Sequence, residues 1–93
     1  MTAPFRVYTA PAFDRLLRRL VTRHPDLVDR YAAVLTILET DPHNHTGTHH
    51  IKKLQGRRYR SRSGRWRFIY EIAGRDVVLT YCGLRREDTY KSR

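Results

Sequence analysis

The sequence predicts a single small α+β domain over residues 1–93, with two helices packed against an antiparallel sheet. In the first half, apolar residues recur at the three-to-four-residue spacing of helices, whereas in the second half they alternate at the period of strands. The chain has 93 residues, 40% of them hydrophobic, which allows one modest core. This composition and the two periodicities together favour a two-layer domain.

The N-terminal half predicts a short strand followed by two antiparallel helices. Phe5-Arg6-Val7-Tyr8 alternates weakly, and Thr9-Ala10-Pro11 suits the start of a helix. That helix should end near His24, because Pro25 disfavours helical geometry in the residue before it. The apolar stripes of the two helices are Phe13, Leu16, Leu17 and Leu20 in the first and Leu27, Val28, Tyr31, Val34, Leu35 and Leu38 in the second. The short break between them predicts a helical hairpin.

The C-terminal half predicts three antiparallel strands that pack on the helices. Their expected ranges are Arg57–Arg62, Arg65–Ile72 and Val77–Cys82, joined by turns at Ser63-Gly64 and at residues 73–76. The segment Ile51–Leu54 is open to two interpretations, a turn or the lead-in to a strand. The chain then ends in a short charged and basic tail over residues 83–93.

The turn at Ser63-Gly64 also predicts which residues face each other. A two-residue turn there places Arg62 opposite Arg65 and Arg60 opposite Arg67, so one face carries four arginines. In the same register Arg67 faces Cys82. The helix-facing side would carry an aromatic and apolar stripe, comprising Tyr59, Ser61, Trp66, Phe68, Tyr70, Ile72, Val77, Leu79 and Tyr81. Like charges opposite each other destabilise a sheet by up to about 1 kcal/mol per pair, which favours a functional reason for the arginines.

The basic residues point to a polyanionic partner. Eight lysines and arginines fall between Lys52 and Arg67 with no acid among them, and the chain carries a formal net charge of +10. This charge favours RNA, DNA, an anionic membrane surface or an acidic protein, with nucleic acid first. Cys82 is the sole cysteine, which excludes an internal disulfide and is expected to be a packed thiol. No apolar run reaches the length of a signal peptide or membrane span, so we expect a cytoplasmic protein without a membrane partner.

Four loop histidines are the obvious candidates for a metal site, but their spacing does not favour one. They are His43, His45, His49 and His50, and they match no strong zinc-binding pattern. Between Asp41 and Glu71 there is no acid that could supply oxygen ligands. We therefore expect neither a metal nor another cofactor.

Three motifs in order resemble the RelE/ParE superfamily of bacterial toxin–antitoxin toxins. Lys52-Lys53-Leu54-Gln55-Gly56 resembles the Lys-Leu-x-Gly segment that leads into the second strand of that family. The segment from Tyr59 to Tyr70 resembles its Y-R-x-R-x-G-x-Y/W-R-x-x-Y hairpin, and Gly83 to Tyr90 resembles its G-x-R-x-x-x-Y ending. The resemblance spans nearly the whole chain and implies a small RelE-like fold.

Within that superfamily, the resemblance favours the RelE-like branch, whose members are ribosome-dependent ribonucleases that cut mRNA. It implies catalytic roles for Arg67, Arg85 and Tyr90, and matches the basic pair of the second strand to Arg60 and Arg62. The implied partners are an acidic cognate antitoxin in a hetero-oligomer, the ribosome with its rRNA, and mRNA. The alternatives are a ParE-like toxin that inhibits DNA gyrase without cleaving RNA, and a catalytically inactive relative kept as a regulatory partner.

The expected RNA-binding and ribosome-binding residues are the remaining cations of the basic stretch. They are Lys52, Lys53, Arg57, Arg58, Arg60, Arg62 and Arg65. Arginine suits the stabilisation of phosphate charge because its guanidinium forks onto two oxygens, but it stays protonated and is a poor general base. The identity of the base is left open among His49, His50, Lys52 and Tyr90.

Overall fold

The computed structural model describes residues 4–84 and confirms the α+β fold. A five-stranded mixed sheet has the order β1-β5-β4-β3-β2, with β1 parallel to β5 and the other pairs antiparallel. Neither helix within residues 4–84 is long and apolar enough to cross a membrane. The elements are β1 Arg6–Thr9, α1 Pro11–Arg23, α2 Asp26–Thr40, β2 Ile51–Lys53, β3 Arg58–Ser63, β4 Trp66–Ala73 and β5 Asp76–Leu84.

The two helices begin and end where the sequence indicates. Pro11 occupies the first turn of α1, where its missing N–H costs nothing. The helix ends at Arg23, and the backbone N–H of His24 closes it by donating to the Leu20 carbonyl at 2.8 Å. Asp26 and Asp29 lie in the first turn of α2, where carboxylates interact favourably with the helix dipole.

The segment that the sequence left open, Ile51–Leu54, contains a strand. Residues Ile51–Lys53 form β2, an edge strand that places Lys52 opposite Arg60 and Lys53 opposite Tyr59. The three predicted strands are confirmed, with ends that differ by one or two residues. The sheet thus has one basic strand more than the prediction counted.

One face of the sheet is covered by the helices, and the core lies between the two layers. Its buried members are Phe13, Leu27, Val34, Leu38, Trp66, Phe68, Tyr70, Ile72, Val77, Leu79 and Cys82. The hydroxyl of Tyr70 donates to the Pro42 carbonyl at 2.7 Å, and burial raises the pKa of this phenol. The Cys82 thiol is buried, as expected, and burial raises its pKa to about 11. The two helices do not cover the other face of the sheet, and we call it the open face.

The predicted turn of the β3–β4 hairpin was wrong by one residue. The central residues are Gly64 and Arg65, so Ser63 lies opposite Trp66, Arg62 opposite Arg67, and Arg60 opposite Ile69. Gly64 has a φ of 61°, which is the conformation that a type II′ turn requires at its first central position. Arg65 consequently belongs to the turn and does not complete the predicted row of four arginines.

A β-bulge in β5 corrects two further expectations about the open face. Ile69 pairs with Tyr81 whereas Tyr70 pairs with Leu79, so Thr80 is an extra residue in β5. The extra residue reverses the alternation of side chains, and Tyr81 lies on the open face rather than beneath the helices. Arg67 lies opposite Gly83, and Cys82 lies opposite Phe68.

Candidate nucleic-acid interface

A pocket of about 400 Å³ lies on the open face where β3, β4 and β5 run side by side. Three of its lining residues are arginines, and the others provide apolar surface, two hydroxyl groups and one aromatic ring. The lining consists of Leu54, Arg58, Arg60, Arg67, Ile69, Thr80 and Tyr81. Such a lining offers guanidinium groups to an anion and an apolar surface to a planar group beside it.

Arg67 is the most enclosed of these cations, because only 9% of its surface is exposed. Its neighbours along β4, Trp66 and Phe68, are fully buried on the opposite side of the sheet and fix this part of the strand. A guanidinium held in a poorly hydrated position interacts more strongly with an anion than a solvated one does. The strand therefore presents a preorganised cation to the pocket.

Tyr81 is a pocket residue that sequence reasoning missed. Its ring lies beside Arg67, with the guanidinium carbon 5.0 Å from the ring centre, in a cation–π arrangement. Gly83 makes room for it, because a Cβ at that position would lie 2.7 Å from the Tyr81 hydroxyl. Alternation alone places Tyr81 on the covered face, and only the bulge at Thr80 moves it to the pocket.

Like charges lie next to each other across the open face. Arg62 faces Arg67, and Lys52 faces Arg60 on the neighbouring strand. Arg62 and Lys52 do not line the pocket itself, whereas Arg58 and Arg60 do. The predicted basic face therefore exists, although its members differ from those that the sequence indicated.

Arg65 is held on the opposite side of the sheet by an acid of α2. Its guanidinium donates to both carboxylate oxygens of Asp26 at 3.0 and 3.3 Å, and Trp66 Nε1 donates to the same carboxylate at 3.0 Å. These hydrogen bonds from Arg65 and Trp66 lower the pKa of Asp26 to about 2. His24 Nδ1 lies 3.2 Å from the guanidinium. Arg65 thus anchors the hairpin turn to the start of α2, which was not expected.

Two other predicted RNA-binding cations also lie outside the pocket. Lys53 places its ammonium 5.9 Å from the centre of the Tyr59 ring. Arg57 precedes β3, and its carbonyl accepts a hydrogen bond from the N–H of Ile72. Both side chains are exposed.

The candidate general bases differ in how they are held. His49 is fixed in the loop after α2, where its Nε2 lies 3.6 Å from Asp41 and Asn44 bonds both its N–H and its carbonyl. Burial raises the pKa of Asp41, but hydrogen bonds from Thr46 and His45 outweigh it, so this pKa is lowered overall. Lys52 lies on the edge strand opposite Arg60, and the carbonyl of His50 accepts from the N–H of Arg62. Lys52 and His50 therefore pair through their backbones with the basic strand β3, whereas the His49 side chain contacts the carboxylate of Asp41.

The predicted catalytic residues Arg85 and Tyr90 lie outside the described residues. Among residues 4–84, no group of three or more histidine, cysteine or acidic side chains is arranged to hold a metal ion. His43, one of the four loop histidines, instead packs its ring at right angles to that of Tyr59 at 5.7 Å.

The fold is similar to that of chains solved as parts of toxin–antitoxin complexes. The chain has a TM-score of 0.69 and 24% identity to a chain of the archaeal RelE–RelB complex from Pyrococcus horikoshii OT3, covering 88% of this chain and 96% of that one. Against a chain of the E. coli DinJ–YafQ toxin–antitoxin complex, the TM-score is 0.71 at 14% identity, with coverage of 90% and 96%.

A third solved structure adds a more distant example of the same fold. A chain of the RelB–RelE antitoxin–toxin complex from Methanococcus jannaschii gives a TM-score of 0.56 at 18% identity, covering 91% of this chain and 96% of that one. No protein-family model matches the sequence, and no curated protein matches it significantly. The chain therefore has a RelE-like fold, and these similarities do not support the gyrase-inhibiting alternative.

Proposed function

We propose that this protein is a ribosome-dependent endoribonuclease, the toxin of a toxin–antitoxin pair, which cleaves mRNA and so inhibits translation. The observation that carries the proposal is the pocket on the open face, where three arginines surround an apolar floor in a RelE-like fold. Single-stranded RNA fits this chemistry, because guanidinium groups bind its phosphates and apolar or aromatic surface accommodates its bases.

Cleavage without a metal requires three events at one phosphodiester. The 2′-oxygen loses its proton and attacks phosphorus, the pentavalent phosphate gains charge, and the departing 5′-oxygen is protonated. Arg67 is suited to the second event because it is enclosed and its guanidinium packs on the ring of Tyr81. Arg58 and Arg60 then orient the flanking phosphates, and Arg85 and Tyr90 keep their proposed catalytic roles from the family resemblance.

The general base must come from a group other than arginine. Tyr81 is the one pocket-lining residue within residues 4–84, apart from the arginines, whose side chain ionises in water. Its packing on Arg67 favours a positioning role for Tyr81, so Lys52 and His50 are the stronger candidates for the base among the described residues. Tyr90 remains a proposed alternative.

The experiment that tests the proposal maps mRNA ends in a translating extract. Purified protein is added, the ribosome-bound mRNA is recovered, and its 5′ ends are sequenced. We expect new ends within codons, and no new ends when ribosomes are omitted. Intact mRNA in an extract whose translation is nevertheless blocked would contradict the proposal.

The products report the mechanism. Attack by the 2′-oxygen leaves a 5′-hydroxyl on the downstream fragment and a cyclic phosphate on the upstream one. We expect these ends, and we expect no divalent ion to be required beyond those that the ribosome needs. A 5′-phosphate on the downstream fragment would show that a different nucleophile attacks.

The partner that the fold similarity supports is an acidic antitoxin in a hetero-oligomer. Its carboxylates would neutralise Arg60, Arg62 and Arg67 and close the pocket to RNA. Because opposite charges steer association and salt screens them, we expect the association rate to fall as ionic strength rises. If salt does not change the association rate and the antitoxin still neutralises toxicity, burial of apolar surface drives recognition and charge does not.

A further inference from the structure

The two helices differ sharply in charge although they pack side by side. Helix α1 carries four arginines and one aspartate, whereas α2 carries three acids and one arginine. A general need for solubility would distribute arginines over both helices. The contrast indicates that α1 has a specific reason to be basic.

The four arginines of α1 form one exposed face, which we call the α1 face. Arg15 lies three residues before Arg18 and four before Arg19, and Arg23 lies four residues after Arg19, so the four residues share one side of the helix, and all four side chains are exposed. Pairs of like charge four residues apart, such as Arg15 with Arg19, destabilise a helix. Asp14 lies only at the edge of this face. The face therefore reduces the stability of the helix that carries it.

None of the four arginines is neutralised within residues 4–84. The arginine ion pairs that join two residues of this part of the chain, Arg6 with Asp76 and Arg65 with Asp26, include no residue of α1. The α1 face points away from the sheet, because the opposite side of the helix contributes Phe13 and other apolar residues to the core. It lies on the other side of the two-layer domain from the pocket.

The chemistry of the α1 face fits a phosphate backbone better than a protein. Protein interfaces have an apolar centre, and the large apolar residues exposed in residues 4–84 are Tyr8 and Val28, neither of which lies on α1. From Arg15 to Arg23 a helix rises about 12 Å, a length along which double-helical nucleic acid presents several phosphates. Phosphate contacts need only charge and hydrogen-bond donors.

We infer that the α1 face is a second RNA-binding surface, which holds the phosphate backbone of a double-helical RNA segment. The pocket on the open face binds a single strand, and the domain is held between the two RNA segments. The inference goes beyond the proposed cleavage and does not depend on it, because binding by α1 involves no residue of the pocket.

The test compares two uncleavable probes, a 20-base-pair 2′-O-methyl RNA duplex and a 2′-O-methyl single strand too short to form one. The main variant replaces the four arginines of the α1 face with glutamine, which preserves helix propensity. The converse variant combines Arg60→Gln with Arg67→Gln. Affinities are measured over a range of salt concentrations, and circular dichroism with thermal melting checks that each variant folds.

We expect the α1 variant to lose affinity for the duplex more than tenfold at low salt and to keep its affinity for the single strand. The slope of log affinity against log salt should become shallower by about 3 to 4, since each lost phosphate contact contributes about 0.9. The converse variant should instead lose affinity for the single strand and keep its affinity for the duplex. The melting temperature of the α1 variant should equal or exceed that of the wild type, because repulsion within the helix is removed.

A matched pair of single substitutions serves as the control. Arg19→Gln should make the salt slope for the duplex shallower by about 0.9, the value of one phosphate contact. Arg75→Gln, in the exposed β4–β5 turn, should leave the slope unchanged.

If the salt slope for the duplex is unchanged in the four-residue variant, the inference is overturned, because the α1 face then contacts only solvent. An equal loss of affinity for both probes would also overturn the inference, because it would show that both RNA probes bind one continuous surface. Polyglutamate serves as a third probe. If the four-residue variant loses affinity for polyglutamate but keeps its affinity for the duplex, the face binds an acidic protein and the inference is overturned.

Discussion

The two faces of the sheet are built from the same strands but meet opposite physical demands. On the covered face, Trp66, Phe68 and Tyr70 of β4 are fully buried against the helices. On the open face, Arg67 and Ile69 of the same strand contribute to the pocket. Successive residues of β4 therefore alternate between stabilising the fold and forming the site. The core residues on either side of Arg67 therefore hold this pocket arginine in place.

Removing an aromatic ring from the core separates most clearly what the two faces contribute to stability. Phe68→Ala should lower the free energy of unfolding by about 3–5 kcal/mol, because it deletes a fully buried side chain and leaves a cavity. Urea denaturation measures this change. The control is Val28→Ala, at an exposed residue of α2, which should alter stability little. A loss from Phe68→Ala no larger than that of the control would show that the covered face is not the stabilising one.

On the open face, Tyr81 should affect activity and not stability. Tyr81→Leu removes the ring beside Arg67 and should reduce cleavage by about tenfold, the size of a well-placed cation–π contact. Tyr81→Phe keeps the ring and should restore cleavage to near the wild-type rate. Single-turnover rates on ribosome-bound mRNA measure both, with Tyr8→Leu on the exposed edge strand as the control. If Tyr81→Phe is as slow as Tyr81→Leu, the hydroxyl transfers a proton and the positioning role is wrong.

A smaller effect is expected where the hairpin turn joins the helices. The hydrogen bonds from Arg65 and Trp66 lower the pKa of Asp26, so this carboxylate stabilises the fold above its unfolded pKa. That contribution should disappear as the pH falls through the folded pKa of about 2. Asp26→Asn should lower stability at neutral pH and remove this part of the pH dependence between about pH 4 and pH 2.

The control for this prediction lies in the same turn of α2. Asp29→Asn makes the same substitution three residues further along α2, and because Arg65 and Trp66 donate to Asp26 it should change the fall in stability at low pH less than Asp26→Asn does. Thermal melts between pH 2 and pH 5 give the comparison. If the stability of the wild type and that of Asp26→Asn fall equally between pH 4 and pH 2, the contact with Arg65 contributes nothing to stability.

Much of the fold could be predicted because local patterns determine it. Pro11 and Pro25 mark the start and end of α1, and the alternation through β4 places Trp66 and Phe68 beneath the helices. The hairpin register failed by one residue because Ser63-Gly64 and Gly64-Arg65 are both plausible turns. Glycine at the first central position favours the second of them, which was a signal in the sequence.

The site was harder to predict than the fold. The motif had singled out Arg67 and the basic strand Arg60, and both line the pocket, while their roles stay predictions. Tyr81 was not singled out, because a bulge depends on pairing between strands and leaves no local pattern in β5. Arg65 was misplaced for a related reason, since its partner Asp26 is 39 residues away in the chain. The predicted roles of Arg85 and Tyr90 remain predictions.

The substitution Arg67→Ala tests whether the open face carries the activity. The cleavage rate on ribosome-bound mRNA and the free energy of unfolding are measured on the same preparation, with Arg75→Ala as the matched control. We predict that Arg67→Ala slows cleavage by about 10²–10³, the usual cost of removing one preorganised donor, while the protein stays folded. Arg75→Ala should cleave at the wild-type rate. A folded Arg67→Ala protein that cleaves as fast as the wild type would contradict the assignment of activity to the open face.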